Sequence, residues 1–242
     1  HARYGQQVPL KWALQHSNNW ISASLITTLG PQQFVGILHD FGLNNPDIDR
    51  NATPVLSLGP CEVSVGEMVS AYTAFANGGV RCAPLFVTKI EDSHGNVIAK
   101  FQPLMTEVIS EDNSYRMIDM MRAVIDGGTG SRLKGAYGMK GDICGKTGTT
   151  NSNSDGWFIA FTPELVSGAW VGGEDRDIHF DSTSLGQGAA AALPIWAYFM
   201  KKVYADHQLG YSDKPQFAIP KDFDFCSTSE DTDVNDIQEV YF

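Results

Sequence analysis

Apolar residues recur at helical spacing from near the start of the chain. Leu10, Ala13 and Leu14 share one face of a short helix between Pro9 and His16. A second helix is predicted from Ile21 to Leu29, with Ser17, Asn18 and Asn19 in the turn between the two. Pro31 suits the first position of a third helix, where Phe34, Ile37, Leu38 and Phe41 lie on one side before Gly42 ends it. After an irregular stretch from Asn44 to Pro60, Ser64 and Glu67 stand in the capping-box relation, in which each would satisfy a free backbone amide of the other. The helix they predict runs to Asn77-Gly78-Gly79, with Met68, Ala71, Tyr72 and Phe75 as its buried stripe.

The pattern then changes. Leu85 to Glu91 and Val97 to Phe101 flank a His94-Gly95 loop and predict a β-hairpin, and another helix follows from about Ser110 to Ile125, ended by Gly127 and Gly128. Gly141 to Thr149, Asp155 to Thr162 and Leu165 to Gly173 predict three strands, whose short connections imply antiparallel pairing. From Gln187 to Tyr204 the chain is alanine-rich and then aromatic, a long helix suited to covering that sheet. Helices, then strands, then a helix predict a mixed α/β domain with a central antiparallel sheet flanked by helices, rather than alternating βαβ units. The domain is expected over residues 1–210. Residues 211–242, with Glu230, Asp231, Asp233, Asp236 and Glu239 close together, are expected to form a weakly ordered acidic tail.

Composition narrows the chemistry. With 242 residues, 43% hydrophobic and 19% charged, the chain can bury one sizeable core. A net charge of -11 excludes a basic face that neutralises phosphates, so no nucleic acid partner is expected. No apolar run approaches the roughly 20 residues of a membrane-spanning helix. Cys61, Cys82, Cys144 and Cys226 are scattered and form no C-x-x-C pair; structural thiols are expected, and an oxidising compartment would permit a Cys61–Cys82 disulfide. The six histidines show no metal-ligand spacing, and Asp231-x-Asp233-x-Asn235 lacks the glycine and glutamate of a calcium loop, so no metal is indicated. Glu174, Asp175 and Asp177 read as a charged loop.

The most informative string is Gly145-Lys146-Thr147-Gly148-Thr149-Thr150. A phosphate-binding P-loop would need a glycine where Lys140 stands and a helix where residues 151–156 predict a turn; with both lacking, a P-loop ATPase is only a formal third option. Two readings are left for the string by itself: a lysine on an exposed strand next to a glycine bend, or a Lys-Thr-Gly strand at the border of a catalytic cleft. There a lysine supplies a point charge, threonine hydroxyls bind a carboxylate, and glycine lets a substrate backbone approach the strand edge. Ser17-Asn18-Asn19 matches the Ser-x-Asn element that accompanies such strands.

Several blocks occur together and in order: the run from Leu10 to Asn19; Leu58-Gly59 through Glu67; Ala71-Tyr72; Phe75 to Gly79; Gly128-Thr129-Gly130; Gly145 to Thr150; Asp155 to Phe158; and Pro194-Ile195-Trp196. Together they closely resemble the transpeptidase domain of bifunctional, class A penicillin-binding proteins over roughly residues 4–205. The resemblance implies the penicillin-binding, serine β-lactamase-like fold, here incomplete at its N-terminus. It implies a D,D-transpeptidase that cross-links peptidoglycan stem peptides through an acyl-serine intermediate and is acylated by β-lactam antibiotics. Carried over, Ser17 would relay a proton at the leaving group, Asn19 would bond substrate amides and position the catalytic lysine, and Lys146 would hold the field beside Ser17. Thr147 and Thr149 would bind the substrate carboxylate, Gly148 would leave room for it, and the Thr149 amide would form half of an oxyanion hole.

One motif of that family has no match where it belongs. Its nucleophile lies in a Ser-x-x-Lys motif before Ser-x-Asn, so nucleophile and general base are expected upstream of His1. The Ser131-Arg132-Leu133-Lys134 string comes too late in the order and reads as a surface loop. The isolated chain is therefore expected to be inactive and to expose apolar surface that an upstream helix would cover. Cys144 is expected to be a buried filler. The parent protein would work at the extracytoplasmic, periplasmic face of the bacterial inner membrane, with a membrane anchor and glycosyltransferase domain upstream; no cofactor is implied. The alternatives are a non-catalytic structural or partner-binding fragment, and a D,D-carboxypeptidase or β-lactamase of the same fold.

Overall fold

A computed structural model describes residues 7–224. The first helix, α1 (Leu10–Gln15), and the second, α2 (Asn19–Leu29), are separated by a three-residue corner. Gly30, at φ +96°, then reverses the chain into α3 (Pro31–Asp40), which has proline in its first turn as predicted. In α3 it is Val35 that is buried, while Ile37 faces solvent. Phe34, Leu38 and Phe41 of the predicted stripe do meet the core, and Val35 takes the place expected for Ile37.

The stretch taken as irregular contains α4 (Pro46–Arg50), capped by Asn45, and a 3-10 turn from Pro54 to Leu58. Ile48 and Leu56 of these turns are buried against α5 (Val65–Ala76). The α5 capping box is formed: Glu67 N–H donates to Ser64 Oγ at 3.2 Å, and Ser64 N–H donates to Glu67 Oε2 at 2.7 Å.

A short strand, β1 (Val80–Cys82), pairs antiparallel with β4 (Met105–Glu107). Between them projects the predicted hairpin of β2 (Lys89–Glu91) and β3 (Val97–Lys100). Helix α6 (Glu111–Gly127) follows, capped by Ser110, and leads through a tight turn into α7 (Arg132–Gly135). The Ser131–Lys134 string is therefore a helical turn and not the loop expected. Leu133 anchors it in the core, and Lys134 is held 2.5 Å from Asp126.

The three predicted strands form one antiparallel meander, β5 (Cys144–Thr149), β6 (Asp155–Phe161) and β7 (Val166–Gly172), in that spatial order. Alternation gives β6 two buried faces. Phe158 and Ala160 pack beneath α9 (Gly188–Ala205), reached through the single turn α8 (Thr183–Gly186), with Leu193, Trp196 and Met200 fully buried. Phe161 turns the other way and joins Cys144, Tyr115, Ile118 and Met121 under α6. The sheet is thus held between α9 and α6, and its first strand carries Lys146.

Part of the segment assigned to the tail is packed. Phe217 is buried in the core under α6, and its N–H donates to Asp142 at 3.0 Å. The same carboxylate takes two bonds from Arg122, at 2.7 and 2.9 Å. The acidic cluster from Glu230 to Glu239, the calcium-like string and Cys226 lie outside the described residues. Cys61 and Cys82 are free thiols, so the disulfide allowed for them is not formed. Among the described residues no helix is long and apolar enough to cross a membrane, and no cluster of three His, Cys, Asp or Glu side chains is placed to hold a metal ion.

Candidate active site

The corner between α1 and α2 is built by a helix terminus. Asn18 N–H donates to Ala13 O at 2.9 Å and Ser17 N–H to Leu14 O at 3.1 Å, the paired bonds of a Schellman cap. That cap needs a left-handed residue at its centre, normally glycine. Here it is Ser17, at φ +52°. A side chain in this conformation costs roughly 1 kcal/mol relative to glycine, so the corner holds a hydroxyl at a position where backbone energetics favour none. Asn18 finishes α1 and begins α2, its side chain accepting from Ile21 N–H at 3.1 Å. Asn19, the first residue of α2, is exposed, with its amide free of hydrogen bonds to the described residues.

Opposite the corner stands β5. Lys146 Nζ donates to Ser17 Oγ at 2.7 Å and to the backbone carbonyl of Thr147 at 2.8 Å. Lys146 also lines a mainly apolar cavity of about 210 Å³, bordered by Leu14, Phe41, Tyr72, Phe75 and Met121. Burial lowers the Lys146 pKa to about 8, since no carboxylate compensates for lost hydration. Near neutral pH this amine can therefore give up or take a proton, and Ser17 is the hydroxyl through which it can do so. The Tyr72 phenol is pushed up to about 12 by burial, so it stays protonated and does not compete as a base. Burial likewise raises the Cys144 thiol, leaving it neutral under the strand.

Side chains alternate along β5, so Thr147 and Thr149 project away from Lys146. Thr147 is 8% exposed, and its hydroxyl lies 2.7 Å from that of Thr129. Thr149 is exposed, and its hydroxyl accepts from Gly188 N–H at 3.0 Å, tying the strand end to the first turn of α9. Gly148 lies between them at the site where a Cβ would come 3.1 Å from Trp157 Cβ. The fold thus brings Ser17 and Lys146 into contact and sets the two threonines and Gly148 at the same strand end. Thr129 has no assigned role in the sequence; the glycines on both sides of it are the signal that its backbone is closely approached.

Comparison with known proteins shows the family. Residues 1–171 match the family model described as penicillin binding protein transpeptidase domain. Penicillin-binding protein 1A of Aquifex aeolicus is 36% identical over 203 residues, covering 83% of this chain and 26% of that protein. Penicillin-binding protein 1A of Neisseria lactamica is 32% identical over 208 residues, covering 82% of this chain and 25% of that protein. The chain spans about a quarter of the length of these relatives. Among solved structures, penicillin-binding protein 1A from Haemophilus influenzae superposes with a TM-score of 0.77 at 24% identity, over 91% of this chain and 39% of that one. The PonA1 protein from Mycobacterium tuberculosis in complex with penicillin V gives a TM-score of 0.70 at 22% identity, over 88% of this chain and 60% of that one. The chain belongs to the penicillin-binding protein transpeptidase domain family, with class A penicillin-binding proteins 1A as its relatives.

Proposed function

We propose that this chain is the C-terminal portion of a peptidoglycan D,D-transpeptidase and supplies the proton-relay and substrate-binding side of its active site. The observation that carries this is the 2.7 Å contact between Lys146 Nζ and Ser17 Oγ. In the reaction a serine Oγ attacks the carbonyl carbon between two D-alanines of a stem peptide, and the carbon–nitrogen bond breaks. The departing amine takes a proton through the Ser17 hydroxyl, with Lys146 setting the local field. An amine from a second stem peptide then attacks the acyl ester, forms the cross-link and returns the proton to serine. Asn19 would bond the substrate amides. Thr147, Thr149 and the space over Gly148 would receive the terminal carboxylate, or the carboxylate of a β-lactam.

The nucleophile and general base belong, on this account, to a Ser-x-x-Lys helix preceding this chain in the parent protein, seated in the apolar cavity against Leu14, Tyr72 and Met121. The cavity supports this because its lining is apolar apart from Tyr72 and Lys146, and the Lys146 amine already reaches the relay serine. Ser131 is no substitute: Lys134, its would-be partner, is paired with Asp126. The isolated chain is accordingly proposed to be inactive, and the parent to act at the periplasmic face of the membrane. Structures of related proteins solved with penicillin V or as an imipenem acyl-enzyme support β-lactams as ligands of the complete site. The test is acylation by a labelled penicillin: the protein carrying the upstream segment should form one adduct, on an upstream serine. An adduct on Ser131 or Ser17 would sink the assignment.

A further inference from the structure

Thr129 lies in the turn between α6 and α7, and nothing in the mechanism above uses it. Three constraints hold it. Gly128 and Gly130 both donate their N–H groups to Val124 O, at 3.1 and 3.0 Å, closing the turn. Thr129 N–H donates to Gln15 O at 3.2 Å, and a Cβ on Gly128 would collide with that same carbonyl oxygen. The Thr129 hydroxyl meets the Thr147 hydroxyl at 2.7 Å. Gln15 stands two positions before Ser17, so one turn is tied both to the Ser-x-Asn corner and to the strand that carries Lys146.

The chemistry of the pair follows from counting protons. Two hydroxyls have two O–H donors, and the bond between them uses one. One O–H remains for a ligand, and it belongs to an oxygen that already accepts a hydrogen bond, which strengthens it as a donor. When Thr129 is the donor of the pair, the free proton is that of Thr147, on the strand that also carries Gly148 and Thr149. Without the Thr129 hydroxyl, Thr147 could turn its proton to any nearby acceptor.

We infer that Thr129 is a positioning residue of the anion subsite: its hydroxyl orients that of Thr147 toward an incoming carboxylate. The inference rests on the transpeptidase reading above. It is tested in the full-length protein by the second-order rate of acylation with a penicillin and with the methyl ester of the same penicillin, which lacks the anion. Thr129→Val, which keeps shape but removes the hydroxyl, should slow acylation by the acid roughly ten- to a hundredfold. The loss should fall on the binding term, leave the ester's rate within about twofold, and be recovered by Thr129→Ser. Equal slowing of acid and ester, or failure of Thr129→Ser to recover the acid rate while melting like the unchanged protein, would overturn the assignment. An unchanged protein that neither penicillin acylates would overturn the transpeptidase reading and the assignment with it.

Discussion

Ser17 and Lys146 are 129 positions apart in the chain and meet at 2.7 Å. One sits on a left-handed helix terminus and the other on a strand buried between two helices, so the contact exists only when α1, α6 and β5 are docked.

Ser17→Gly should stabilise the fold while damaging the site. Glycine relieves the left-handed strain, worth about 0.5–1 kcal/mol, but removes the hydroxyl that Lys146 contacts. Thermal melting should show an equal or higher midpoint for the variant, and β-lactam acylation of the full-length protein should fall at least tenfold. A lower midpoint would mean that the Lys146 contact, and not the Schellman cap, dominates the energetics of this corner.

Lys146 makes stability depend on pH with a definite sign. Its folded pKa of about 8 lies below the 10.5 of an unfolded lysine, so between those values the unfolded chain binds the extra proton. Stability should therefore rise with pH across that window, and the gain should be absent below it. Melting curves at pH 7.5 and pH 10 should show a smaller rise for Lys146→Met than for the unchanged chain. An identical rise in both would mean the amine is not buried as described.

Much of this was legible in advance because the signals are local. The capping box of Ser64 and Glu67, the Pro31 helix start and the meander of β5 to β7 each depend on neighbours a few residues away, and each forms as predicted. Ser17 and Lys146 were recognisable by motif. What escaped were features set by tertiary packing. The β1–β4 pairing joins two three-residue strands across an intervening hairpin, too short for alternation to show. Val35 takes the place expected for Ile37 in the core, which a helical period alone does not record. The Thr129–Thr147 bond links two polar residues in separate blocks, and neither block announces the other.

Gly145 tests the packing beneath the site. A Cβ there would lie 2.6 Å from Ala160 Cβ and 2.7 Å from Ile159 O, both on the neighbouring strand. Gly145→Ala should destabilise the domain by about 1–3 kcal/mol, the usual cost of overpacking, seen as a lower denaturation midpoint with an unchanged denaturant slope. No change in midpoint would show that β5 and β6 separate freely.

Asp142 holds the segment that follows α9. Its side chain is 4% exposed and accepts from Arg122 and from Phe217 N–H. Asp142→Ala takes both short bonds from the Arg122 guanidinium and leaves it the longer contact to Asp119 at 3.8 Å, which should cost about 1–3 kcal/mol. It should also make the bonds around Phe217 open to a protease that does not cut the unchanged chain. Equal resistance in both would mean that Phe217 is held by its apolar contacts alone.

The most direct test of the central claim is intact-mass spectrometry after incubation with a labelled penicillin, on this chain alone and on the protein extended through the preceding segment. The account predicts no adduct on residues 1–242 alone and a single adduct in the extended protein, mapping upstream of Ser17. A stoichiometric adduct on this chain alone would show that it carries its own nucleophile and would contradict the account.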